Sequence, residues 1–431
     1  MSLFDVGSML LVLAAFFAWL NHRFLGLPGS IGLLAMGLAA SLALVGLEIA
    51  IPSQHLTRDV TAALQGIDFA ATVMDGLLAF LLFAGALHLD ISALRGRAVP
   101  VALMATGGVV LSTAAIGCGL WAVSAPLGYP IPLAWALVFG ALISPTDPVA
   151  VLGTLRAVQV PKELETDMQG RSLFNDGVGV VVFTLLLAIA QGEGTSVAEI
   201  ATLFTTEALG GAALGGLTGY VAYHMTRQVD DYAVEVMLSL GLATGTYALA
   251  QAVHASGPIA VVVAGLVLGN RGARLGMSER TRRYVFGFWE IIDQVLNAVL
   301  FLLIGLEVLV LRFDAAFLPL AAAAVPLALV GRLIAVGTSV ILLRRFVDFV
   351  RGTVALLAWG GLRGGISVAL ALSLPDVAEK PALLAATYAV AVFSILAQGG
   401  SLGPLARRVT HRGGGKDKVR LADAGEAATG V

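Results

Sequence analysis

The chain has 431 residues, 58% of them hydrophobic and only 13% charged, and its mean hydropathy is +0.91. A soluble protein carries about 25% charged residues, so this composition excludes an ordinary soluble enzyme and describes an integral membrane protein. The net charge of −2 says little by itself, and the single cysteine, Cys118, cannot form an internal disulfide.

The N-terminal run carries Asp5, no Lys or Arg, and no convincing small-residue cleavage site, so it reads as a first membrane helix rather than a signal peptide. Apolar stretches long enough to span fall near 6–26, 29–50, 70–90, 98–123, 131–155, 172–191, 208–226, 232–252, 256–270, 285–310, 316–343, 352–374 and 382–406. The more polar stretch 54–68 is expected to be an interfacial helix, and the charged, glycine-containing segment 407–431 a disordered tail. Thirteen spans with the N-terminus outside place 21 of the 26 Lys and Arg residues on the cytoplasmic side, Arg171 among them, and only Arg58, Arg312 and Lys380 on the other. That asymmetry is what the positive-inside rule demands, and an extra or missing span would scramble it. Arg332 and Arg363 remain within spans.

Two spans are interrupted. Ser144-Pro-Thr-Asp-Pro148 places two prolines and an acid in the fifth, and no smooth helix runs through such spacing. Trp359-Gly-Gly-Leu-Arg-Gly-Gly-Ile-Ser367 is its glycine-rich counterpart in the twelfth. The offset of seven spans puts the two halves in opposite orientation, and interrupted helices at matching positions mark the substrate site of inverted-repeat transporters.

The intramembrane acids point to a cation path. Asp176, in Arg171-Ser-Leu-Phe-Asn-Asp-Gly177, is the leading candidate. Burial disfavours a charged carboxylate and a bound cation favours it, so one such group holds either a proton or a cation, which is what exchange requires. Thr146 and Asp147 sit in the unwound stretch, where freed carbonyls and half-helix ends add oxygen ligands suited to Na⁺. Ser172 lies one turn before Asp176 on the same face, and Asn175 is positioned to orient its neighbours. Arg332 and Arg363 are expected to balance the acids or the half-helix ends. Glu235, Glu290, Asp293 and Glu307 read as structural. There is no P-loop, dinucleotide fingerprint or Cys/His metal cluster, so neither an enzyme, a resident cofactor nor a nucleic-acid partner is expected.

These motifs resemble the cation/proton antiporter-1 family, the bacterial relatives of sodium/proton exchangers. The resemblance rests on Ser144-Pro-Thr-Asp-Pro-Val-Ala150, Ser172-Leu-Phe-Asn-Asp-Gly177, Val253-His-Ala-Ser-Gly257, Val262 through Asn270, Phe288-Trp-Glu through Asn297, Gly360-Gly-Leu-Arg-Gly-Gly365, and Phe393 through Gly399. It implies an all-α homodimer of thirteen-helix protomers in the inner (plasma) membrane, with an inverted repeat and two crossed, broken helices. Residues 1–406 would form the transporter, with a core of about 98–191 and 316–406 and dimerisation helices of about 6–90 and 208–310. By motif, Asp176 would carry proton or cation, Thr146, Asp147 and Ser172 would complete the ligands, Asn175 would stabilise them, and Arg332 would be the span-11 arginine. The neutral Asn175 beside Asp176 resembles the electroneutral branch. Two positions depart from the pattern: Arg171 replaces a glutamate that pairs with the span-11 arginine, and Ala84 replaces another in span 3. The expected activity is Na⁺/H⁺ exchange; K⁺/H⁺ exchange and a transport-inactive sensor or scaffold are the alternatives.

Overall fold

In hydrocarbon every backbone N–H and C=O must be satisfied within the protein, which leaves helices or a closed barrel. This chain uses helices. The computed structural model describes residues 3–50, 69–147, 160–192, 197–309, 315–347 and 352–409, with the single positions 151, 155, 158 and 349. The expected interfacial helix at 54–68 and nearly all of the expected tail lie outside the described residues.

The helices are α1 (Leu3–Leu20), α2 (Gly29–Ala50), α3 (Leu78–Leu87), α4 (Ile91–Ala105), α5 (Gly107–Ser124), α6 (Leu133–Ile143), α7 (Lys162–Ala190), α8 (Val197–Thr226), α9 (Tyr232–Ala252), α10 (Gly257–Val267), α11 (Glu279–Glu307), α12 (Leu318–Leu343), α13 (Thr353–Trp359), α14 (Gly365–Leu372) and α15 (Lys380–Phe393). Wider π-type turns extend α3 backwards over Thr72–Leu77 and α10 and α15 forwards over Leu268–Gly272 and Ser394–Gly399. Among the described residues ten helical stretches are long and apolar enough to cross a membrane, so the chain is a multi-pass membrane protein. The other stretches expected to span include α6, 11 residues long, and the α13–α14 pair, of 7 and 8 residues, each helix too short to cross alone.

Two boundaries differ from expectation for identifiable reasons. The expected span at 98–123 is one longer stretch, Ile91–Ser124, in which α4 and α5 join at Thr106, whose N–H and hydroxyl both return to Ala102 O. Helix α7 begins at Lys162, well before 172. Its acidic first turn, Glu163 and Glu165, complements the positive helix end. The added turns are held by a buried ion pair, with Arg97 Nε donating to Asp167 at 2.8 Å, and by buried Leu164 and Met168.

Packing builds two sides around α7. On one, α5 lies against α6 and α12, with α15 beyond, around Phe139, Leu142, Leu320, Leu370 and Leu383. On the other, α3, α9, α10 and α11 enclose Phe83, Tyr247 and Trp289, and α8 covers α10. Helix α2 packs along α11, where Leu34 and Phe301 are buried. Large apolar side chains such as Phe16, Trp19, Leu217 and Leu333 face outward, as a lipid-exposed surface requires.

Candidate functional site

The site begins with backbone that the sequence cannot keep helical. Helix α6 ends at Ile143, just before Pro145, and its last carbonyls lose their partners. Arg363 replaces them: its Nη1 donates to Ser144 O at 3.0 Å and Pro145 O at 2.9 Å. Helix α13 ends at Trp359, and there Arg332 Nη2 donates to Leu357 O at 3.2 Å while Gln398 Nε2 donates to Trp359 O at 3.0 Å. The interruptions touch each other, with the Asp147 N–H donating to Leu362 O at 2.9 Å as an isolated antiparallel bridge. Thus Arg332 and Arg363 act on the ends of the interrupted helices. Two glycines make the approach possible. A Cβ on Gly361 would collide with the Arg332 guanidinium, and one on Gly364 would sit 2.5 Å from Asp147 Oδ2. Asp147 therefore rests at the N-terminal end of α14, where the helix dipole favours an anion.

Asp176 faces the same place from α7. It lines a cavity of about 410 Å³ together with Thr146, Asp147, Glu290, Asp293 and Asn297. Asp176 is 6% exposed, and among the described residues its carboxylate receives no hydrogen bond, so both oxygens remain available to a proton or a cation. The cavity's other polar surface comes from His88, Gln169, Gln294 and Ser367, and apolar Leu78, Leu82 and Leu300 close it.

Thr146 forms part of the cavity wall. Its Oγ1 accepts from Asn175 Nδ2 at 2.9 Å and from Nη2 of both Arg171 and Arg332 at 3.3 Å. Its carbonyl accepts from Ser172 Oγ. So Asp147, Thr146 and Asp176 meet at the cavity, whereas Ser172 and Asn175 stand one layer back and fix Thr146. Arg171, counted above with the cytoplasmic residues, is buried at 3% exposure; the earlier start of α7 draws it inside. The Nη2 atoms of Arg171 and Arg332 each lie 3.3 Å from one oxygen, so at most twice that distance separates them. At an effective dielectric constant of about 20, like charges so placed repel by at least about 2.5 kcal/mol.

By sequence alone the acids of α11 read as structural. Glu290 and Asp293 instead line the cavity, and Asn297 holds Asp293, donating from Nδ2 to Oδ1 at 3.0 Å and to the carbonyl at 2.8 Å. The available signal was spacing: 290, 293, 294 and 297 form one polar stripe on an otherwise apolar stretch. Ala84 also lines this cavity, so α3 presents a methyl group where α11 presents carboxylates.

The sequence pattern of the family described as "Sodium/hydrogen exchanger, transmembrane" matches residues 11–408. The chain is 48% identical to the Na⁺/H⁺ antiporter NhaP of Pseudomonas aeruginosa over 412 residues, covering 94% of this chain and 96% of that protein. It is 36% identical to the Na⁺/H⁺ antiporter NhaH of Halobacillus dabanensis over 375 residues, 86% of this chain and 91% of the relative. Its fold is similar to that of the sodium proton antiporter MjNhaP1 from Methanocaldococcus jannaschii at pH 8, with a TM-score of 0.73 and 21% identity, over 95% of this chain and 99% of that structure. With apolar helices, interrupted segments and intramembrane acids in one arrangement, and a match along nearly its whole length, this chain belongs to the transmembrane sodium/hydrogen exchanger family.

Proposed function

We propose that this protein exchanges Na⁺ for H⁺ across the plasma (inner) membrane by alternating access, with Asp176 as the shared carrier. The observation that carries the reading is Asp176 itself: a buried carboxylate, without a hydrogen-bond partner among the described residues, on a cavity that also holds Asp147. Such a group is costly to leave charged and alone in a membrane. It holds a proton or a cation, and each expels the other. Asp147 and the Thr146 region supply further oxygens, with Ser172 and Asn175 setting their position and Arg332 and Arg363 neutralising the helix ends. Asp293 adds a carboxylate that raises local cation concentration.

The resemblance and the names of the relatives support Na⁺ as the substrate, and the comparisons do not favour K⁺/H⁺ exchange or a non-transporting scaffold. The finer architecture belongs to the same proposal. Thirteen spans in an inverted repeat would cross at the two interruptions, with the N-terminus outside and the C-terminus cytoplasmic. Residues of about 98–191 and 316–406 would form the moving core, and about 6–90 and 208–310 the homodimer contact. With Asn175 neutral and one carrier acid, one proton exchanges for one monovalent cation and no net charge moves.

The test is a proteoliposome assay with an internal pH dye and Na⁺, Li⁺ and K⁺ added in turn. Saturable proton flux on Na⁺ addition is expected; no flux with any cation refutes the reading. A potential imposed with valinomycin should leave the Na⁺-driven rate unchanged, and potential-driven accumulation would overturn the electroneutral stoichiometry.

A further inference from the structure

A second, much smaller cavity lies behind Thr146, between α4, α5, α7 and α12. It is lined by Ser112, Ser144, Arg171, Asn175, Arg332 and Ser339, with apolar neighbours and no carboxylate. A guest of water's size has about 10 Å³ in which to place its centre, room for one small guest. The polar groups around it divide sharply. Ser144 Oγ donates to Gly140 O at 2.7 Å, Ser339 Oγ to Ala335 O at 2.7 Å, and Asn175 Nδ2 to Thr146. Three groups remain unspent: Arg171 Nε, Arg332 Nε and Ser112 Oγ are buried without a hydrogen-bond partner among the described residues. Two are N–H donors on cations and the third is a hydroxyl able to donate.

Both arginines are at least nine-tenths buried. The carboxylate that acts on Arg171, Asp167 one turn earlier, is already engaged by Arg97. Buried charges are normally paired, and unmade hydrogen bonds at charged groups are the costliest kind. From these three donors on one small carboxylate-free cavity, we propose that it binds a single chloride-sized monovalent anion, acting as counterion to Arg171 and Arg332. The donor set rejects a cation, since none of its three members is an anion. The size rejects sulfate, phosphate and carboxylates.

The experiment uses the full-length protein purified in detergent, with chloride as the probe and gluconate or sulfate at matched ionic strength as controls. The readouts are the linewidth of the chloride magnetic resonance signal and the thermal midpoint. Wild type should broaden the chloride signal, bromide should compete and sulfate should not, and the midpoint should rise saturably with chloride alone. Ser112→Ala removes one neutral donor and should weaken chloride affinity roughly threefold to tenfold. Arg171→Glu places a fixed carboxylate beside Arg332 and should lose chloride dependence altogether. Absence of broadening in wild type would mean that only water occupies the cavity and would overturn the proposal. Equal chloride affinity in Arg171→Glu and wild type, or in Ser112→Ala and wild type should Arg171→Glu fail to fold, would place any binding elsewhere and overturn it as well.

Discussion

Asp176→Asn is the sharpest perturbation of this site. The substitution keeps the side chain's shape and removes a unit of charge from a carboxylate with no hydrogen-bond partner to lose among the described residues. A cation 4 Å from that charge, at an effective dielectric constant of about 20, is held by about 4 kcal/mol. At about 1.4 kcal/mol per tenfold, losing that attraction weakens cation binding about a thousandfold. The amide also cannot carry a proton in the working range. Exchange should therefore vanish in proteoliposomes carrying a pH dye and challenged with Na⁺, while the detergent-solubilised variant stays monodisperse. Its thermal midpoint should match or exceed that of wild type, because a buried charge without a partner opposes folding. Proton flux at the wild-type rate on Na⁺ addition would refute the carrier assignment, and a collapsed midpoint would show that Asp176 serves the fold instead.

Asp293→Asn should raise the Na⁺ concentration for half-maximal flux several-fold without abolishing exchange; abolition would make Asp293 a second carrier, and an unchanged value would remove it from the cation's surroundings. Gly364→Ala pushes a methyl group onto Asp147 Oδ2, and overpacking of about 1–3 kcal/mol should lower the midpoint and impair Na⁺ affinity together. Arg97→Ala leaves Asp167 buried without its main partner and should cost about 3 kcal/mol or more, read as a lower thermal midpoint. In the turn before α4, Ser92 hydrogen bonds first, and the Arg274 charge to a lesser degree, hold the Asp90 carboxyl below the ordinary carboxylate range. Its stabilising contribution is thus present at neutral pH and fades as pH falls through the folded-state value, so any midpoint difference between Asp90→Ala and wild type should shrink on acidification.

The membrane helices were legible because long apolar runs admit little else, and the interruptions because Pro145 and the Gly360–Gly365 run deny a continuous helix. Asp176 and Asp147 were legible as acids in the wrong solvent. What sequence could not give was depth and facing. Arg171 looks interfacial when α7 is started at its first strongly apolar residue, and only the buried pairing of Asp167 with Arg97, 70 positions away, shows that the helix begins earlier. Glu290 and Asp293 look like an ordinary polar helix face, because period alone does not say whether such a face meets water, lipid headgroups or an internal cavity. Ser172 shares a helical face with Asp176, yet its hydroxyl turns to Thr146 O, a choice that depends on where another segment lies.

The reciprocal closure of the two interruptions has a mechanical consequence. Arg363, carried by one, covers Ser144 O and Pro145 O of the other, and Leu362 O receives the Asp147 N–H. Bending either interruption alone would strip several carbonyls and an amide bare in the interior, at about 1–3 kcal/mol for each group left unmatched. The proposed alternation would therefore not hinge at the two interruptions, although they look like the weak points of the chain. In the exchange cycle proposed above, the two interruptions would move as one unit, carrying Asp147 past the cavity walls contributed by α3 and α11.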